Sequence, residues 1–276
     1  MYEKLGDLLG IGIVTGLQGK IWINQHLLSN AEEAVTKSLQ LKREIHDDIG
    51  IPELLDWLGE LEEIRHNYDK AEQYYHEMLN DYRWAGRRHF ECEAIVGLAR
   101  VKHAQGKFAE IPPLVAEAEA LAQEYEYNDH LAALRLLQGH LSFGSTDIPV
   151  CASVPQTGMS APPFTFYQQA LIYALRYNRF WLDEVLFGDD IPTPFQPMIP
   201  FCLQKGKAGQ DLLRQLRDWW QNGKNDVGKP RPETIPPIPE NISLVEAERL
   251  ARDREPGDGS PQKTVVERIE IVLAKN

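Results

Sequence analysis

Small and apolar residues return at a fixed stride along the first half of the chain. Leu17-Gln18-Gly19 is echoed by Trp57-Leu58-Gly59, Gly97-Leu98-Ala99 and Leu137-Gln138-Gly139, each step being 40 residues. Ala31, Ala71 and Ile111 keep the same phase, 12 residues after the small residue. A third column holds Leu28, Tyr68 and Phe108, and a fourth holds His26, His66 and Gly106. Columns in one phase predict two antiparallel helices per unit. A small residue on the first helix admits the second, the alanine on the second does the reverse, and the large residue between them is expected to enter the seam.

Asn67-Tyr68-Asp69-Lys70-Ala71-Glu72-Gln73-Tyr74-Tyr75 and Gly106-Lys107-Phe108-Ala109-Glu110-Ile111 resemble the turn and second helix of tetratricopeptide (TPR) units. That resemblance implies an all-α, TPR-like α-α superhelix, a right-handed solenoid of helical hairpins, with a C-terminal helical extension. The family's usual period is about 34 residues; the longer stride is similar to variants with extended second helices in signalling ATPases. Repeat units are expected near 11–50, 51–90, 91–129 and 130–187, giving a repeat region 1–187.

Both ends of that region depart from the pattern. Leu5-Gly6-Asp7-Leu8-Leu9-Gly10 lies 40 residues ahead of Ile45-His46-Asp47-Asp48-Ile49-Gly50 and reads as the tail of a second helix. The expectation is a fragment of a longer solenoid; the competing view is a short natural cap. In the fourth unit a first helix over about His130–Phe143 is followed by a Ser-, Pro- and Gly-rich insertion, 144–163, before helical spacing resumes from Phe164 to Phe187. Residues 188–276 alternate proline-rich connections with helices, expected near Gly209–Gln221, from the capping box at Ser243-Leu244-Val245-Glu246 to about Glu255, and from about Ser260 to Ala274, packing on or capping the solenoid.

Composition narrows the function classes. The formal net charge is −12, and a long-range field of that sign repels nucleic acid and anionic lipid. The sequence holds no apolar run near the roughly 20 residues of a membrane span and no signal-peptide order at its start, so a cytoplasmic location is expected. Cys92, Cys151 and Cys202 form no CxxC pair and read as free thiols.

Ala170-Leu171-Ile172-Tyr173-Ala174-Leu175-Arg176-Tyr177-Asn178-Arg179-Phe180-Trp181-Leu182-Asp183-Glu184-Val185, Asp218-Trp219-Trp220 and Glu246-Ala247-Glu248-Arg249-Leu250-Ala251-Arg252-Asp253-Arg254-Glu255-Pro256-Gly257-Asp258-Gly259 resemble the C-terminal ends of bacterial STAND-class NTPases. The resemblance implies a sensor module that recognises a trigger and relieves autoinhibition of a nucleotide-binding core, in defence or transcriptional signalling. A free-standing TPR adaptor joining two proteins is the alternative.

Residues for catalysis or cofactor binding do not assemble in the sequence. It contains no phosphate-loop motif and no HExxH, and Gly10-Ile11-Gly12-Ile13-Val14-Thr15-Gly16 falls inside a repeat helix. His26, His46 and His66 follow the repeat and read as turn or helix-end residues. No enzyme activity, cofactor or metal is therefore expected. What remains is the inner face of each first helix, in a TPR superhelix the ligand groove. There the second unit places Glu53, Asp56, Glu60 and Glu63, the third Glu93, Val96, Arg100 and His103, the fourth Ala133, Leu136, His140 and Phe143, and the first Ile13, Gly16, Lys20 and Ile23. Carboxylates on one helical face repel by a few tenths of a kcal/mol per pair. A basic or mixed peptide, or a protein loop, would relieve that; a solvated acidic face is the plain alternative. On this reading, reversing Glu60 and Glu63 to lysine weakens a partner and leaves the melt almost unchanged.

Overall fold

A computed structural model of the chain describes residues 7–83, 85–144, 163–177, 184–188, 195–222 and 265–275. Among them, the regular structure is helical and no strand occurs. The helices are α1 (Leu8–Asn24), α2 (Leu28–Glu44), α3 (Ile51–Ile64), α4 (Tyr68–Arg83), α5 (Arg88–Ala104), α6 (Ile111–Glu124), α7 (Asn128–Gly144), α8 (Pro163–Tyr177), α9 (Met198–Gln204), α10 (Gly206–Asn222) and α11 (Val265–Lys275). None is long and apolar enough to cross a membrane among the described residues. The chain forms two compact units: Met1–Tyr125 with Asp189–Phe195, and Glu126–Gly188 with Gln196–Asn276. The fourth hairpin thus groups with the C-terminal helices.

In the first unit each helix packs on the next, and α1 also meets α3 as α3 meets α5. The helices end at a 20-residue interval. His26, His46, His66, Gly86, Gly106 and Glu126 all adopt left-handed backbone, with φ of 57°, 53°, 59°, 68°, 71° and 57°. At each of the first five the amide following the left-handed residue reaches back five residues, as in Leu27 N to Trp22 O (2.9 Å) and Asn67 N to Glu62 O (2.8 Å). This bond and its partner from the left-handed residue itself satisfy carbonyls the helix end would otherwise strand. The histidine column is thus a helix-stop column; histidine tolerates this conformation better than most residues with a Cβ.

The seam between paired helices is set by the small residues. A Cβ on Gly59 would lie 2.6 Å from Tyr75 Cζ, and one on Gly97 would lie 2.6 Å from Tyr75 Cε1, so one tyrosine ring is held between two first helices that both give way to it. Ala31, Ala71 and Ile111 are fully buried. The expected large seam residues are elsewhere, however: Leu28, Tyr68 and Phe108 open the second helices and are only half-buried. Val35, Tyr75 and Val115, a column of the same 40-residue phase, fill the seam at 0%, 0% and 3% exposure. The reason is axial: seven residues, or two turns, deeper into the second helix is where the side chain comes level with the small residue opposite. Surface pairs repeat as well, Arg43 with Glu77 recurring as Arg83 with Glu117.

In the second unit α7 packs on α8 and α9, and α10 packs on α8, α9 and α11. Gly139 repeats the seam device, since a Cβ there would stand 2.4 Å from the Tyr167 ring. Helix α9 was not expected from the sequence; Met198, Ile199, Phe201 and Cys202 form a short apolar cluster without a long periodic signal, and all four are buried. Two boundaries shift. Leu8 to Gly10 belong to α1, with Asp7 Oδ1 accepting from Gly10 N at 2.9 Å, rather than to the tail of a preceding helix. α10 begins at Gly206 rather than Gly209. The insertion 145–162, the connection 223–239 and the capping-box helix after Ser243 lie outside the described residues.

Candidate functional site

Helices α1, α3 and α5 are 40 residues apart in register, so Lys20, Glu60 and Arg100 occupy one row and Gly16, Asp56 and Val96 the row beside it. The helical period places Asp56, Glu60 and Glu63 on one face of α3. The stack brings a cation to that face from each side. Lys20 of α1 pairs with Glu60. Arg100 of α5 donates to Glu63 Oε1 at 3.0 Å, and Tyr75 of α4 donates to the same oxygen at 2.6 Å. Arg100 also donates to the Tyr75 hydroxyl oxygen at 3.0 Å.

Burial makes this network energetically loaded. Glu60 and Glu63 are 8% and 2% exposed, while Asp56 and Arg100 are partly exposed. Burial lifts the Glu63 carboxyl above its usual range, against the pull of the Arg100 charge and its hydrogen bond. For Arg100, burial opposes the charge, but Glu63 and Tyr75 outweigh it and raise the guanidinium above its ordinary value. Asp56 is pushed up to about 6, first by burial and then by the Glu60 charge, with Arg100 and Lys20 pulling the other way. Two cations therefore serve three carboxylates among the described residues of this cluster, and the least compensated carboxylate is the one with a path to solvent.

The eight residues expected in a groove separate into four sets. Asp56, Glu60, Glu63 and Arg100 form the network just described. Glu53 is exposed on the first turn of α3, and Glu93 on α5 is half-buried. His103 at the end of α5 is half-buried with its ring centroid 5.7 Å from Phe108 and 5.2 Å from Phe195, so a residue beyond the repeats reaches the first unit here. His140 belongs to the second unit and to its interior. It is 1% exposed, its Nδ1 is 2.9 Å from the Tyr167 hydroxyl, its Nε2 donates to Gln196 O at 2.6 Å, and its ring stacks on Phe201 at 3.9 Å. With Nε2 donating to a carbonyl, Nδ1 of the neutral ring is left to accept from Tyr167.

Two expectations change with this geometry. Glu60 and Glu63 are not a solvated stripe awaiting a guest; the chain itself supplies their cations, so lysine at both positions would place like charges against Lys20 and Arg100 in a buried setting and lower the melt. Lys20, expected on the inner face of the first unit but not as the partner of Glu60, and Tyr75, absent from the expected face, are integral to the cluster. The signal for Lys20 was present in the alternation Lys20, Glu60, Arg100 at the repeat stride; Tyr75 had none, since its hydroxyl matters only once the ring is wedged between Gly59 and Gly97. Among the described residues no group of three or more His, Cys, Asp or Glu side chains is placed to hold a metal ion. Searches for a matching family model and for a similar curated protein find none.

Proposed function

We propose that the chain is a protein-binding repeat module, a TPR-like superhelix whose first helices present the row Ile13, Glu53, Asp56, Glu93 and Arg100 to a protein or peptide ligand. The observation that carries this reading is the charge deficit at Asp56: a partly exposed carboxylate beside two buried ones, with one cation too few. A lysine or arginine of a guest would supply the missing charge where Asp56 opens to water, and would draw the Asp56 carboxyl back down toward its ordinary value. The net charge of −12 draws such a guest in.

The wider role follows from the resemblance to the C-terminal regions of STAND-class NTPases: a cytoplasmic sensor that binds a trigger and relieves autoinhibition of a nucleotide-binding core. A free-standing adaptor is the second reading, favoured by the same row of side chains. The residues encoded in frame with this chain separate them, a Walker-type core marking the sensor and its lack the adaptor. The binding reading is tested by panning the immobilised chain against a random peptide display library at low salt. Recovered peptides should be enriched in Lys and Arg, and their affinity should fall at least threefold in Asp56→Asn or Glu53→Gln and with added salt. Peptides without charge bias, or binding indifferent to both substitutions, would remove the proposal.

A further inference from the structure

Helix α1 is apolar on nearly every side. Its inner face, Gly12, Gly16, Gly19 and Ile23, is buried in the first unit. Its other side carries Val14, Leu17 and Ile21 at 51%, 53% and 55% exposure. Positions 14, 17 and 21 share one stripe of the helix, and three large apolar side chains in a line on a surface mark a contact rather than chance exposure.

The repeat register identifies what belongs there. The equivalents of Val14 and Ile21 are Leu54 and Leu61 on α3, at 2% and 0% exposure, and Ala94 and Val101 on α5, both at 0%. On α3 the stripe is covered by the hairpin before it: Leu61 clusters with Ile23 and Ala31, and Leu54 Cδ2 lies where a Cβ on Gly16 would be 3.0 Å away. Polar contacts repeat the arrangement. Arg65 at the end of α3 donates to Glu32 Oε2 at 2.6 Å, and Gln105 at the end of α5 donates to Glu72 Oε2 at 3.3 Å, Glu32 and Glu72 each following the buried alanine of the covering helix. The equivalent residue on α1 is Gln25, and it is exposed.

The geometry points to a docking site on α1 for a partner protein that presents a helical hairpin of this same repeat class, with a buried alanine followed by a carboxylate on its second helix, continuing the α1–α3 and α3–α5 relation by one step. This stripe adjoins the ligand-binding residues at Ile13, one turn from Leu17, and its assignment does not depend on them. Leu17 is the central anchor, Val14 and Ile21 flank it, and Gln25 takes the partner's carboxylate as Gln105 takes Glu72.

The test uses a fluorescent synthetic peptide spanning residues 7–47, which carries the Ala31-Glu32 pair, titrated with the full chain and read by anisotropy. Saturable binding is expected, weakened at least tenfold by Leu17→Glu or Ile21→Gln in the full chain and two- to fivefold by Glu32→Gln in the peptide. Both positions on the chain are exposed, so the variants should keep the parent circular-dichroism melt, and either alone suffices if the other does not. Absence of binding overturns the proposal. So does binding unchanged by both substitutions, which would mean that the peptide exchanges with the chain's own α1–α2 hairpin. Sedimentation as a dimer that Leu17→Glu dissociates, with no peptide binding, would assign the face to a second copy. Leu17-dependent binding to phosphatidylcholine vesicles without peptide binding would assign it to a membrane surface, and either result overturns the proposal.

Discussion

Replacing Asp56 with asparagine should make the protein more stable at neutral pH, although it removes a charge near two cations. The carboxyl stands at about 6 in the fold against an ordinary value of 3.8. A folded pKa above the unfolded one means that the native state holds more protons between those values, so stability falls as pH rises from about 4 to about 6 and the loss is complete above that window. Two units at about 1.4 kcal/mol each set a ceiling near 3 kcal/mol. Asp56 is partly exposed, so solvent screening brings the expected effect to about 1–2 kcal/mol. Asparagine keeps the shape and removes the repulsion from Glu60 and Glu63. The assay is urea unfolding followed by circular dichroism at pH 4.5 and pH 7.5, with hydrogen exchange of the α3 amides as a local readout. Asp56→Asn should gain about 1–2 kcal/mol at pH 7.5 and only about a third to a half of that at pH 4.5, which lies inside the titration window. A variant equally destabilised at both pH values would refute the reasoning, because it would show that Lys20 and Arg100 already overcompensate the cluster.

Three further outcomes are expected. Gly59→Ala should destabilise by about 1–3 kcal/mol despite the better helix propensity of alanine, because its Cβ would stand 2.6 Å from Tyr75 Cζ; a raised melting temperature would count against the wedged ring. His46→Gly should stabilise by roughly 0.5 kcal/mol and His46→Val should destabilise by more than 1, since φ is 53° at this exposed helix stop; thermal melts of the pair check the sign. The Cys202 thiol is pushed up to about 12 by burial, so iodoacetamide at pH 8 should leave the Cys202 peptide unmodified in the native protein and label it in urea, as peptide mass mapping would show.

Much of the first unit was legible in its residues because the controlling events are local. A helix ends where the backbone turns left-handed, and the 20-residue run His26, His46, His66, Gly86, Gly106 is a chain-local property. Gly19, Gly59 and Gly139 likewise mark close approach whatever lies on the far side. The same logic misplaced the large seam residue, because Tyr68 and Tyr75 are both aromatic residues of one helix, and axial depth against the facing glycine is a property of the packed pair. Helix α9 escaped for the opposite reason: its seven residues are too few to show a period.

Residue type and spacing by themselves determined the helical class, the 40-residue stride, the candidate face on each first helix and the sign of its charge. Only the tertiary structure decided what that charge means. Whether an acidic stripe faces water or a neighbour depends on which side chains the stack carries across to it, and a Coulomb term grows as water is excluded. Lys20 and Arg100 lie 40 residues to either side of Glu60 in the chain, yet across two helix contacts they pair with Glu60 and Glu63 and pull on the Asp56 carboxyl. Likewise His140 had the register of a groove residue, and burial against Tyr167 and Phe201 made it part of a core. Period is written along one helix; protonation and accessibility are written between helices.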